Sequence, residues 1–313
     1  MTSGSPIELV NLRKEYKGFV AVDNLNFSVK KNSFTGFLGP NGAGKSTTLK
    51  ILTHLINATS GEAYINGIDV TKDPKRALTG VGTVVETPEF YLYLTPKETF
   101  SYVGDIIGLN KETISSETSR LFEMVKMTEW IDKKMGTFSK GMRQRVALGL
   151  SLLNNPSIIL LDEPTSGLDP RGTAEMRDIL KNIRKESNNL TVMMSSHMLY
   201  EVSELCDRII LINQGKMIFQ DEAGNIGKND SKRKLTVKIN GVPDQETISK
   251  VGRLKNVVTA EKLGDDIDVT IDGGREACVR FFDDLSALKI GAYGVREEDA
   301  LEATYLRLIK ESK

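Results

Sequence analysis

Cysteine, histidine and tryptophan are scarce in this 313-residue chain, at two, two and one. The cysteines, Cys206 and Cys278, lie far apart and form no C-x-x-C pair. That spacing excludes a disulfide scaffold or a zinc site and points to a reducing compartment. Net charge is missing as well, with 42 basic residues against 42 acidic. A balanced chain has no global field to draw in nucleic acid, so none is expected as a partner. Long apolar runs are absent. Ile158–Leu161 and residues 209–212 (IILI) are strand-sized and fall far short of the roughly 20 apolar residues of a membrane span. The start, MTSGSPIELV, lacks the basic residues and apolar stretch of a signal peptide. The expectation is a chain soluble and cytosolic by itself, long enough for a full core and a second, smaller domain.

What is present centres on residues 33–52, SFTGFLGPNGAGKSTTLKIL. An apolar run ends at Gly39-Pro40-Asn41-Gly42-Ala43-Gly44-Lys45-Ser46, and a helical pattern follows from Thr47. This is strand, glycine-rich turn and helix, with the G-x-x-x-x-G-K-S spacing of a phosphate-binding loop. Backbone N–H groups at a helix N-terminus can cradle a triphosphate, and glycines let the chain curl inward around it. Lys45 would reach the outer phosphates and the Ser46 hydroxyl would ligate Mg²⁺. A nucleotide triphosphate with Mg²⁺ is the expected ligand.

Around this loop the chain reads in order. Residues 7–30 alternate in the β manner with a turn near Lys17-Gly18, and residues 60–70 (SGEAYINGIDV) form a hairpin turning at Asn66-Gly67. Tyr16 is either a strand-edge tyrosine or a ring that stacks on adenine. The run at 81–85 ends at Glu86-Thr87-Pro88, and from Thr95 to about Met127 the period becomes helical. Residues 111–118 within it are polar enough to predict a surface connection. Ser139 then precedes a helix, where a serine is a normal N-cap. Residues 157–161 form a buried strand ending in Asp162-Glu163. Adjacent carboxylates at the C-terminal end of an apolar strand sit where open α/β sheets place ligands. One can hold Mg²⁺ and its neighbour can take a proton from water. A helix over 173–186 and a strand over 191–195 bring in His197, one of two histidines; the other, His54, reads as structural.

Taken together these residues resemble the nucleotide-binding subunit of an ATP-binding cassette (ABC) transporter, over roughly residues 7–220. Residues 39–46 look like Walker A, 138–142 like the LSGGQ signature and 160–163 like Walker B. Residues 166–169 look like the D-loop, and His197 like the switch histidine. The resemblance implies an α/β P-loop NTPase fold with an antiparallel β subdomain and a helical signature subdomain. It implies a head-to-tail homodimer trapping two ATP, with separately encoded membrane-spanning permease subunits and a place at the cytoplasmic face of the membrane. By position it gives Tyr16 to adenine, and Gly39 through Thr47 to the phosphates. Ser139 and Gly141 go to the partner copy's γ-phosphate, and Asp169 to the nucleotide interface. Ser46, Asp162 and Glu86 go to Mg²⁺, Glu163 to the attacking water and His197 to the γ-phosphate. Glu86 stands where many members carry glutamine, and Lys140 and Met142 replace Gly and Gln of the signature. These variations resemble single-cassette drug, antibiotic-peptide and sodium exporters. The alternative is a soluble ABC ATPase serving a non-membrane machine.

Residues 221–233 read as a linker and 234–313 as an accessory domain. Its strand and helix patterns run β-α-β-β-α-β-α, which suggests a small α+β ferredoxin-like unit ending in a helix over 297–310. It is a structural appendage or dimer contact, or else a regulatory domain that senses a ligand or the membrane partner. Residues 88–94 (PEFYLYL), apolar and aromatic, either pack on the helical insertion or grip a membrane subunit.

Overall fold

Alternating apolar residues build the first hairpin. β1 (Ile7–Tyr16) buries Ile7, Leu9 and Leu12, and β2 (Phe19–Val29) buries Val22, Leu25, Phe27 and Val29. β3 (Phe34–Leu38) is buried at every position, as a strand covered on both faces must be. The computed structural model describes residues 4–187, 189–225 and 232–297, with Tyr305 and Ile309. After β3 come α1 (Lys45–Leu52), β4 (Ser60–Ile65), β5 (Ile68–Asp69), the short α2 (Pro74–Ala77) and β6 (Val81–Val84). The β4–β5 turn falls at Asn66-Gly67, both at positive φ (50° and 75°) as a two-residue hairpin turn requires. A helical block follows: α3 (Pro96–Ile106), α4 (Lys111–Met124) and α5 (Lys140–Ser151). Then come β7 (Ile158–Leu161), α6 (Pro170–Glu186), β8 (Thr191–Ser196), α7 (Leu199–Leu205), β9 (Arg208–Asn213) and β10 (Lys216–Glu222).

Two sheets result. One is antiparallel in the order β2-β1-β4-β5. The other runs β10-β9-β3-β8-β7-β6, parallel from β9 to β6 with β10 antiparallel at its edge. Leu49, Ile51 and Leu52 of α1 share one apolar core with Leu9, Leu25 and Phe27 of the first sheet and Phe37, Leu160, Met193 and Ile210 of the second. Burial of each such side chain is worth about 1.5–3 kcal/mol. The phosphate-loop helix is thereby fixed from both sides.

In the helical block, α3 opens on a full capping box between Thr95 and Glu98, and Phe100 meets Phe122 of α4 edge-on at 5.0 Å. Residues 111–118 are not a connection but the first half of α4. Asn110 caps the helix, and Ile114, Thr118, Leu121 and Phe122 make a narrow buried stripe under an otherwise polar surface. Four buried positions suffice to dock a helix, and the polar majority concealed them from the sequence reading. α6 likewise starts at Pro170, ahead of the expected 173, because Asp169 caps it and proline suits its first turn.

Close approach constrains the block where it meets the sheet. A Cβ on Gly82 of β6 would lie 1.8 Å from the Ser151 carbonyl oxygen at the end of α5. Backbone cannot swing aside as a side-chain tip can. Gly82→Ala is therefore expected to cost about 1–3 kcal/mol, and its thermal midpoint to fall by about 2–4 °C per kcal/mol.

The chain divides into two compact units after Ala223. β10 runs to Glu222 and the next strand starts at Lys232, so strands take both ends of the expected linker. The second unit comprises β11 (Lys232–Ile239), α8 (Gln245–Gly252), β12 (Val257–Leu263), β13 (Asp266–Asp272), α9 (Arg275–Ala287) and β14 (Ala292–Glu297). Its sheet is antiparallel in the order β12-β13-β11-β14. Leu235, Val237, Ile267, Val269 and Ile271 of the sheet pack against Phe281 and Leu285 of α9. The expected helix over 297–310 lies, beyond Glu297, almost wholly outside the described residues.

Candidate functional site

Three neighbouring parallel strands end at one place. β3 delivers the phosphate loop, β8 delivers Ser195, Ser196 and His197, and β7 delivers Asp162 and Glu163. This is the carboxyl edge of an open α/β sheet, where such folds bind ligands.

The loop's shape follows from its glycines. Gly44 has φ +106° as it enters α1, and a Cβ there would lie 2.5 Å from the Ala21 carbonyl of β2. Gly39 donates its N–H to the Ser196 carbonyl at 3.2 Å, which ties the loop to β8. Asn41 and Gly42 are exposed at the loop's crest, Pro40 is partly exposed, and Ala43 is buried beneath. Ser46 and Thr47 sit half-buried in the first turn of α1.

Lys45 is only 4% exposed, yet it carries a charge. Its Nζ donates to the carbonyls of Gly39 at 2.8 Å and Pro40 at 3.1 Å, and it pairs with Glu163 Oε1 at 3.3 Å. The other Glu163 oxygen, Oε2, meets His197 Nδ1 at 3.1 Å. Burial pushes the Glu163 carboxyl up, but the charges of Lys45 and His197 outweigh it and hold the group below the ordinary range. Glu163 also sits at φ +44°, a left-handed conformation that a long side chain seldom adopts. Strain of that kind gathers at functional sites.

Ser195, which sequence reasoning passed over, organises the pair of carboxylates. Fully buried, it donates its hydroxyl to Asp162 Oδ1 at 2.5 Å and accepts the Glu163 N–H at 2.9 Å. Asp162 Oδ2 is left without a partner among the described residues. A serine in a buried strand one position before the strand's end was the available signal, and nothing in its spacing distinguished it from core.

Other expected site residues are placed elsewhere. Tyr16 ends β1, 44% exposed as a residue, with Lys14 Nζ 4.8 Å from its ring centroid. The same hairpin touches the phosphate loop through Ala21 and Val22, which flank Gly44. Ser139 caps α5 by accepting the Met142 N–H, and Asp169 caps α6 by accepting the Gly172 N–H. Both are exposed. Gly141 faces Leu168 rather than the phosphate loop of its own chain. Glu86, at φ +74°, turns its carboxylate onto Lys50 of α1 and not toward Asp162. The four residues gathered within one cluster are thus Lys45, Asp162, Glu163 and His197, with Ser195 beneath them.

Comparison with known proteins identifies the family. The ABC transporter family model matches residues 22–166. YhcH of Bacillus subtilis, an ABC transporter ATP-binding protein, is 39% identical over 230 residues, 72% of this chain and 73% of its own. The bacitracin transport ATP-binding protein BcrA of Bacillus licheniformis is 39% identical over 72% of each chain. The lantibiotic transport ATP-binding protein SrtF of Streptococcus pyogenes is 36% identical over 69% of this chain and 90% of its own. Among solved structures, a dimeric ATP-binding cassette holding ADP and Pi after hydrolysis superposes with a TM-score of 0.62 at 28% identity, covering 69% of this chain and 98% of that one. On these relatives, the chain belongs to the ABC transporter family of ATP-binding proteins, the cassette ATPases.

Proposed function

We propose that this chain powers a multisubunit exporter by closing as a homodimer on ATP. The observation that carries the reading is the Lys45–Glu163–His197 cluster at the end of β3, β7 and β8. Phosphoryl transfer needs little covalent chemistry from a protein, and these groups supply positioning and charge. On nucleotide entry, Lys45 exchanges the Glu163 carboxylate for phosphate oxygens. Glu163 then accepts a proton from water as that water's oxygen bonds to the γ-phosphorus and the bond to the ADP oxygen breaks. ADP and phosphate leave. His197 donates to the γ-phosphate, and Tyr16 offers its exposed face to adenine.

An all-oxygen donor pair, the Ser46 hydroxyl and the free Oδ2 of Asp162, suits Mg²⁺, which takes one or two carboxylates and fills its shell with phosphate and water. When bound, the ion neutralises charge developing on the phosphates. Glu86 would join that shell only by leaving Lys50.

Ser139 and Gly141 stand at the N-terminus of the 12-residue α5 and bond nothing in their own phosphate loop. A second copy arriving head to tail would bring that helix end to the γ-phosphate, where its dipole favours negative charge. Asp169 would meet the nucleotide interface in the same assembly. The relatives named for bacitracin and lantibiotic transport support a transport role, and the exporter direction rests on the resemblance to single-cassette exporter subunits.

No helix among the described residues is long and apolar enough to cross a membrane. Powering transport calls for permease subunits, and one groove supports their docking. A groove of about 560 Å³ lies between the parallel sheet and the helical block, walled by Leu55, Val85, Phe90, Val103 and Ile107. Tyr91, Leu92 and Tyr93 stand beside it, each more than half exposed. A short helix of a membrane subunit fits such a groove. The order of elements and the sheet order of the second unit fit a ferredoxin-like fold, and with it the division into a cassette to about residue 220 and an accessory domain from 234.

The test is a pull-down of tagged Glu163→Gln protein from detergent-solubilised host cells with ATP and Mg²⁺. Recovery of a multi-span membrane protein supports the exporter. Recovery of ribosomes or soluble proteins alone moves the chain to a non-membrane machine.

A further inference from the structure

Beside the cluster lies a buried carboxylate that the chemistry above does not use. Glu201, on α7, is 2% exposed. Its Oε2 accepts two hydroxyls, Thr165 Oγ1 at 2.8 Å and Ser196 Oγ at 3.1 Å. The Ser196 hydroxyl in turn accepts the Met198 N–H at 2.9 Å. The other Glu201 oxygen, Oε1, is buried with no hydrogen-bond partner among the described residues. Burying a carboxylate with one oxygen unpaired is expensive, and an apolar side chain of similar volume would serve packing at lower cost. The position of its two partners is the informative part. Thr165 lies two residues after Glu163, in a loop whose next turn is closed by Ser166 N–H to the Glu163 carbonyl at 3.0 Å. Ser196 immediately precedes His197, and its carbonyl holds the Gly39 N–H of the phosphate loop.

We propose that Glu201 is a positioning residue. One oxygen clamps the segment leaving Glu163 to the segment entering His197, and so fixes the 3.1 Å relation between the two side chains that act on water and γ-phosphate. Neither Glu163, at φ +44°, nor His197, with its side chain 40% exposed, is held by burial alone. The clamp supplies from behind the rigidity that their own surroundings lack. This inference rests on the assignment of Glu163 and His197 to hydrolysis.

The experiment compares Glu201→Leu and Glu201→Gln with the native chain by steady-state ATP hydrolysis and by nucleotide titration. Glutamine keeps a carbonyl oxygen for both hydroxyls; leucine keeps only bulk. Leucine is expected to lower kcat by about 10²-fold, the scale of a displacement near one ångström, with KM for ATP held within about twofold. Glutamine is expected to restore most of kcat. Combined with Glu163→Gln, the leucine change should lower the residual single-turnover rate little, because groups acting as a unit are not additive. A fully additive loss overturns the proposal, as does a glutamine variant as slow as leucine. Should Glu201→Leu fail to fold, Thr165→Val carries the same readouts: reduced kcat at constant KM supports the clamp, and native kcat overturns it. Native turnover in Glu163→Gln itself would instead remove the catalytic assignment on which the clamp depends. An inactive Glu163→Gln beside a fully active Glu201→Leu removes the clamp alone.

Discussion

Glu163→Gln is expected to lower ATP turnover by about 10²–10⁴-fold, the usual reach of a general base, while ATP binding and the ATP-dependent dimer persist. Glutamine keeps the shape of the side chain and can still meet His197, but it cannot take a proton from water. The environment of Glu163 explains how it changes strength during a cycle. Without nucleotide, burial raises its carboxyl and the Lys45 and His197 charges more than offset that rise. When Lys45 turns to the phosphates, its share of the offset goes, the carboxyl rises, and the base becomes stronger as water is positioned. The same shift leaves a mark on the resting protein. A carboxyl depressed in the folded state contributes stability that is full above the ordinary value of 4.5 and is lost as pH falls through the depressed one. Glu163→Gln lacks that contribution, so its thermal midpoint should fall less than the native one on acidification through this window. Steady-state hydrolysis and light scattering with excess ATP and Mg²⁺ check the two halves. Unchanged turnover sinks the base assignment, and a monomer under those conditions counts against the closed dimer.

Elements with strong periodicity or turn chemistry were legible in the chain alone: the β1–β2 hairpin, the Asn66-Gly67 turn, the strand–loop–helix at residues 33–52 and the cap at Ser139, whereas the Asp169 cap that starts α6 at Pro170 was read as part of a turn. What spacing could not supply was proximity. Lys45 and Glu163 are 118 positions apart in sequence, yet they meet at 3.3 Å because β8 alone separates β3 from β7 in the sheet. Strand order of that kind arises from crossovers, which leave no local trace. α4 escaped in part because its buried stripe is four residues wide in a polar stretch. Glu86 was readable as a residue near the site, but its capture by Lys50 depends on the φ of +74° that turns it to α1. Ser195 and Glu201 went unseen for a third reason. Their function lies in hydrogen bonds that reach 32 to 36 positions along the chain, Ser195 to Glu163 and Glu201 to Thr165, and a buried serine or a helical glutamate has no pattern of its own.

Lys45→Ala should abolish nucleotide binding at working concentrations. In the resting chain the ammonium is 4% exposed and held by two carbonyls and one carboxylate, so its dehydration has already been met before ATP arrives. Exchange of Glu163 for a phosphate oxygen then requires no new burial of charge, and the phosphate meets a cation already aimed by the loop. Removal of one partner from a buried, hydrogen-bonded charge pair costs about 2–5 kcal/mol, which raises Kd about 30- to 5000-fold. Alanine also leaves Glu163 with His197 as its remaining charged partner, so its carboxyl moves up, opposite to the stabilising direction. Titration calorimetry with ATP and Mg²⁺ separates this variant from Glu163→Gln. The lysine change acts on Kd, whereas the glutamate change acts on kcat at nearly constant Kd. Native affinity in a folded Lys45→Ala protein would mean that the glycine loop holds the phosphates by backbone N–H groups alone, and that the buried ammonium serves the resting fold through Glu163 rather than the nucleotide.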